Sequence, residues 1–249
     1  MATTPPSMPS GWDPAAISDG EWPAEVAFLP FVGRGYKDGC DGHRVLLLGE
    51  SHYRKEGMTD RPEDTRSFTK KEFSPMADPN RTERWGGFWD ALDRLLVGER
   101  DYTPKQAAEA WDYVAYINQC QVLAGTESFH RPSAKALGAG GDVLHEHVLP
   151  ILKPTAVLVL GRFTWQTLRH GTHMPQFDPY IAGGTHRNGS GRFQKERPIW
   201  RLDYRGGAAY MTWVYHPSWH IDTWEDRAGA LRRLLAESPP VAQCMREFS

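Results

Sequence analysis

Three cysteines in 249 residues, Cys40, Cys120 and Cys244, are too few and too scattered for a disulfide framework. No C-x-x-C pair occurs, and three thiols fall short of the four that an iron-sulfur cluster or an all-cysteine zinc site takes. Reduced thiols are expected, with no metal, iron-sulfur cluster or other cofactor. Long apolar runs are missing as well. The longest, near residues 45–48 and 156–160, are five residues or fewer, against the roughly twenty of a membrane-spanning helix, so no membrane partner is expected. The opening MATTPPSMPSGWDP has neither the basic nor the apolar segment of a secretory signal, which makes the cytoplasm the expected compartment. An excess of one charge is also absent: the net charge is -2, which argues against a generally basic, nucleic-acid-coating protein. The average hides a local excess. Residues 162–205 carry eight Arg or Lys against three acids, +5, which leaves -7 for the rest of the chain. No internal repeat is present.

What is there is a chain of ordinary globular composition, 40% hydrophobic and 24% charged, long enough to bury a core. Residues 1–20 read as a flexible polar arm and 21–249 as a single domain. Four apolar stretches, 45–48, 114–117, 156–160 and 210–215, read as strands. The first and third are continuous rather than alternating, the pattern of strands covered by helices on both faces. Trp85, Phe88, Trp89, Leu92, Leu95 and Leu96 form one helical stripe. Further helices are expected over 142–152, over 163–168 after Gly161, and over 224–236 with Ala228, Leu231, Leu234 and Leu235 inward. A Gly-rich basic loop over 181–195 leads to a further strand at 199–203. The alternation predicts an α/β fold built on a central, mainly parallel four-stranded sheet.

In such a sheet the ligand crevice lies beyond the carboxyl ends of the strands. Those ends carry Gly49-Glu50-Ser51-His52-Tyr53, Asn118, Gly161 and His216-Pro217-Ser218. His145 and His147 are two apart on a helix and face apart, which is wrong for a shared metal; His170 and His173 lack a nearby acid.

The four segments LLLGESHY, YINQC, VLPILKPTAVLVLGRFTW and WVYHPSW, in that order over residues 45–219, resemble the motifs of the uracil-DNA glycosylase superfamily. The resemblance implies a three-layer α/β/α sandwich and an enzyme that extrudes a damaged base from single- or double-stranded DNA and hydrolyses its N-glycosidic bond without a cofactor. It implies Glu50, Asn118 and His216 as catalytic groups: Asn118 reads the base edge with an amide that is donor and acceptor side by side, and His216 donates to the base oxygen as charge collects there. Gly49, Ser51, His52, Tyr53, Phe68, Pro217 and Ser218 would bind substrate, Tyr53 barring a thymine methyl group, Phe68 stacking on the base, and the amides around Pro217 and Ser218 holding a phosphate. Arg187, Arg192 and Lys195 would meet the DNA backbone. Trp219 invites a wedge role, although packing is the commoner use of such a residue.

The sequence departs from the family pattern at Ser51, where the strict uracil enzymes have a carboxylate, and at His52, where proline is usual. Glu50 resembles the glutamate of the iron-sulfur branch, whose four cysteines this chain lacks. Glu50 as a loop cap, Asn118 as a strand-end residue, His216 as a turn histidine, and Tyr53 and Phe68 as packing residues are the structural alternatives. Two other functions remain open: a catalytically silent nucleic-acid-binding member of the fold, suggested by Ser51, and a hydrolase unrelated to DNA that uses Glu50 and His52 directly. The preferred base is not legible.

Overall fold

The computed structural model describes residues 12–126, 130–168, 179–181, 185–187, 193–195, 197–219 and 221–240. In chain order the elements are β1 (Phe31–Val32), β2 (Val45–Gly49), α1 (Pro62–Thr65), α2 (Phe68–Phe73), α3 (Phe88–Val97), α4 (Pro104–Trp111), β3 (Val114–Asn118), α5 (Ala134–Val143), a π-helical stretch (Leu144–Val148) and α6 (Leu149–Leu152). Then follow β4 (Ala156–Leu160), α7 (Arg162–Leu168), β5 (Pro179–Ile181), β6 (Thr185–Arg187), β7 (Phe193–Lys195), β8 (Ile199–Tyr204), β9 (Gly207–Val214) and α8 (Trp224–Glu237). His170, His173 and Cys244 lie outside the described residues, and Cys40 and Cys120 are free thiols.

The sheet corrects the four-stranded expectation. It has seven strands in the order β1-β3-β2-β4-β9-β8-β5. The four apolar stretches form its parallel centre, β3-β2-β4-β9, while β1, β8 and β5 pair antiparallel. The sheet is therefore mixed. Strand pairing works outward from the apolar runs: β8, expected over 199–203, pairs with β9 across a tight turn from Tyr204 to Gly207, and the edge strands β1 and β5 are only two and three residues long, too short for a hydrophobic signal.

Period-two alternation splits each central strand between two cores. Leu46, Leu48, Val157 and Val159 face a cluster that includes Val148 of the π-helical stretch, Leu149 of α6, and Trp165 and Leu168 of α7. Val45, Leu47, Leu158 and Leu160 face Phe73 of α2, Leu92 and Leu95 of α3, Trp111 of α4, and Leu231 and Leu234 of α8. Helices thus pack on both faces. The chain leaves β2 for helices on one face and β3 and β4 for helices on the other, which opens a crevice at the carboxyl edge of the parallel strands.

Two local departures have plain causes. The helix expected over 142–152 runs from Ala134 and widens into a π turn at Leu144–Val148. Pro150 has no N–H for the Glu146 carbonyl and would crowd it, and the Leu149 N–H reaches the Leu144 carbonyl instead. The arm expected over 1–20 is anchored from Trp12 onward: the Trp12 indole donates to the Ile151 carbonyl (3.1 Å) and the Arg44 guanidinium covers its ring.

Beneath α3 lies a buried ion pair. The Asp93 carboxylate, fully buried, accepts from Arg81 (2.6 Å), Trp111 Nε1 (2.8 Å) and the Tyr102 hydroxyl (3.0 Å). Arg81 in turn covers Trp85, the residue that leads into the aromatic wall described below. Asp93→Ala should leave that guanidinium buried and uncompensated, and urea unfolding should show a loss of about 3–5 kcal/mol.

Candidate functional site

A cleft of about 1390 Å³ opens at the carboxyl edge of the parallel strands. Glu50, Ser51, His52, Tyr53, Phe68, Asn118, His216 and Ser218 all line it. Gly49 and Pro217 sit behind the lining, Pro217 buried. Arg192 and the side chains of Arg187 and Lys195 lie outside the described residues. Two other cations of the basic stretch are paired, Arg197 with Asp222 and Arg201 with Asp203.

The first wall is rigid because the pairing of β2 and β3 continues past the strand ends. The Gly49, Glu50 and His52 carbonyls accept from the Gln119, Cys120 and Ala124 amides at 2.8–2.9 Å, and Tyr53 bridges to Ala124. At the register pair Gly49↔Asn118 a Cβ on residue 49 would stand 2.1 Å from both Asn118 Oδ1 and the Tyr116 hydroxyl. Glycine is therefore required. The Tyr116 hydroxyl donates to Asn118 Oδ1 (2.8 Å), which fixes the amide and leaves its NH2 without a hydrogen bond among the described residues.

The opposite wall is the loop after β9. Fully buried Asp222 accepts from the Tyr215 amide (2.7 Å) and from Arg197 (2.9 Å), while Arg227 donates to the Trp219 carbonyl (2.6 Å). Within the loop, the Ser218 and Trp219 amides turn back to His216 Nδ1 (3.3 Å) and the His216 carbonyl (2.8 Å). Those amides are spent inside the turn, so the phosphate-holding role read for them has no free donor in this conformation. The same bond makes His216 Nδ1 an acceptor, which puts the proton of the neutral ring on Nε2. Phe88 stacks on that ring (5.4 Å, 22°). Burial, and then the charges of Arg227 and Arg131, push His216 down to about 4.

Glu50 carries the opposite perturbation: burial raises its carboxyl, partly offset by Arg131. The other first-motif residues do less. Ser51 Oγ is buried without a partner. His52 is 4% exposed, with Nε2 at 2.8 Å from the Thr69 hydroxyl and Nδ1 at 3.6 Å from Glu72. Its ring therefore stands between the Thr69 hydroxyl and the Glu72 carboxylate, and burial lowers its pKa first of all. Phe68 packs edge-on against His52 and Phe28 and has Lys55 over its ring, so its lining role is structural packing rather than an open stacking face.

Several lining residues escaped the sequence. Phe73 stacks on Tyr116 at 3.7 Å and meets Trp89 edge-on, giving the cleft an aromatic flank. Arg131 lies over both Phe163 and Trp219. Glu72 faces the cleft from α2. Only the Trp89 stripe gave a prior sign of that flank. Among the described residues no group of three His, Cys, Asp or Glu could hold a metal ion, and no helix is long and apolar enough to cross a membrane.

No known family model and no curated protein sequence matches the chain.

NMR of the imidazole protons should show His216 neutral and not titrating between about pH 5.5 and 8, because its folded pKa is about 4 against an ordinary 6.5. Since the folded value is the lower one, protonation favours the unfolded chain. Stability from this group should fall as pH drops below 6.5 and level off below about 4. Gly49→Ala should destabilise by about 1–3 kcal/mol in urea unfolding, through displacement of Asn118 and Tyr116.

Proposed function

We propose that the protein is a DNA base-excision glycosylase that hydrolyses the N-glycosidic bond of uracil or a related deaminated base. Its architecture would be the three-layer α/β/α sandwich of the uracil-DNA glycosylase superfamily. The observation that carries this reading is that Glu50, Asn118 and His216, from three distant stretches of chain, line one aromatic-flanked cleft.

Flipping a base out of the stack costs a few kcal/mol, recovered by contacts within the pocket. Asn118, anchored through Oδ1 by Tyr116, offers its NH2 and a remaining oxygen lone pair to a carbonyl and an adjacent N–H on the base edge. As the C1′–N bond breaks, its electron pair leaves with the base. His216, neutral and with Nε2–H as its free donor, hydrogen-bonds the base oxygen where the charge collects. Water bonds to C1′ and gives its proton to Glu50, whose burial-raised basicity suits a general base. That proton then returns to the departed base through solvent.

A second reading is a catalytically silent nucleic-acid binder. It is favoured by Ser51, which supplies no carboxylate and has its hydroxyl sealed from solvent.

Incubation with single- and double-stranded oligonucleotides containing uracil, hypoxanthine or xanthine, followed by alkali, separates the two. Strand scission is expected, and His216→Ala or Asn118→Ala should slow it by about 10²–10³. An unchanged rate removes that residue from the site. Binding without scission, weakening steeply with salt, supports the silent binder.

A further inference from the structure

We infer that Glu72 is the ionised carboxylate that faces the sugar in this cleft and stabilises the cation left at C1′ when the glycosidic bond breaks. The inference rests on the glycosylase reading and fills the place that Ser51 leaves empty.

Glu72 lies on α2 and lines the same cleft as Glu50, Asn118 and His216. Its next residue, Phe73, stacks on Tyr116, whose hydroxyl holds the Asn118 amide. The carboxylate therefore lines the cleft from the turn of helix that packs on Tyr116. Its nearness shows in the Tyr116 phenol, which is pushed up by burial first and by the charge of Glu72 next.

The carboxylate is also held as an anion. Lys55 Nζ donates to Oε1 at 2.7 Å, and His52 Nδ1 lies 3.6 Å from Oε2. Burial alone would raise Glu72, but the nearby His52 ring and Lys55 outweigh it and hold the group below the usual carboxylate range. The buried chain Thr69–His52–Glu72 thus acquires a purpose: it orients a carboxylate with lone pairs to spare. One carboxyl raised and one lowered in a single site is the division between a proton acceptor and a permanent counter-charge. Glu50 takes the proton of the attacking water, and Glu72 transfers none.

An oligonucleotide carrying a cationic pyrrolidine in place of a nucleoside mimics the sugar cation, and one carrying uncharged tetrahydrofuran is the control. Wild-type protein should bind the cationic oligonucleotide more tightly. Glu72→Gln should lose about tenfold in affinity for it, about 1.4 kcal/mol, with tetrahydrofuran binding unchanged, and Glu72→Asp should restore the preference. A preference that survives in E72Q overturns the role of Glu72 and leaves the glycosylase reading standing. Wild-type protein without any cationic preference also overturns the role of Glu72, and scission of the uracil, hypoxanthine or xanthine oligonucleotides then decides the glycosylase reading on its own. If E72Q does not fold, the wild-type protein carries the test: the Glu72 side-chain carboxyl NMR signal should shift on binding the cationic oligonucleotide and stay in place on binding the tetrahydrofuran one, and a signal that moves with neither overturns the proposal.

Discussion

A side chain at position 49 is sterically forbidden, and the cleft depends on that exclusion. Asn118 Oδ1 and the Tyr116 hydroxyl occupy the space a Cβ would take, so the ends of β2 and β3 close on each other with an amide and a phenol between them. Because the backbone pairing then runs on to Ala124, Glu50 emerges beside Asn118 rather than on a free loop. The close approach fixes two of the three proposed catalytic groups at once.

The third is fixed by a different device. Asp222 and Arg227, both buried, tie the loop after β9 to β8 and α8 through Arg197, the Tyr215 amide and the Trp219 carbonyl. His216 is then held neutral by burial and by neighbouring cations, with its ring set by Phe88 and its Nδ1 by the Ser218 amide. Groups fixed in this way need little reorganisation as charge develops, the condition under which fixed donors lower a barrier most. The same low-polarity setting separates the two carboxyls: burial raises Glu50, with Arg131 only partly offsetting it, whereas the donors around Glu72 hold it below the usual range.

The central parallel strands were legible because their apolar runs are continuous, and a strand buried on both faces has no other way to read. The edge strands were not, since β1 contributes two residues and β5 three. Helix α4 starts at the Thr103 capping box, in which Thr103 and Gln106 satisfy each other's backbone amides, a local signal present in the sequence as T-x-x-Q. The residues that end the strands pointed to the cleft because topology alone delivers them to one edge. Glu72 and Arg131 reach it by packing of α2 and of the segment leading into α5, and no local pattern reports such an arrival. His52 follows the strand end into the cleft lining as its place in the motif implies, but its burial among Phe28, Phe68 and Thr69 comes from α2 and a distant loop, which no local pattern reports.

The central claim is that Asn118 and His216 grip one extruded base from two sides. Side-chain amide and imidazole NMR signals, followed while the protein is titrated with oligonucleotides carrying non-cleavable 2′-fluoroarabino derivatives of uracil, hypoxanthine or xanthine, test it directly. The account predicts that at least one of these ligands shifts the Asn118 NH2 and the His216 Nε2–H together, at the same ligand concentration. Binding that perturbs other surfaces and leaves both signals unmoved would contradict it.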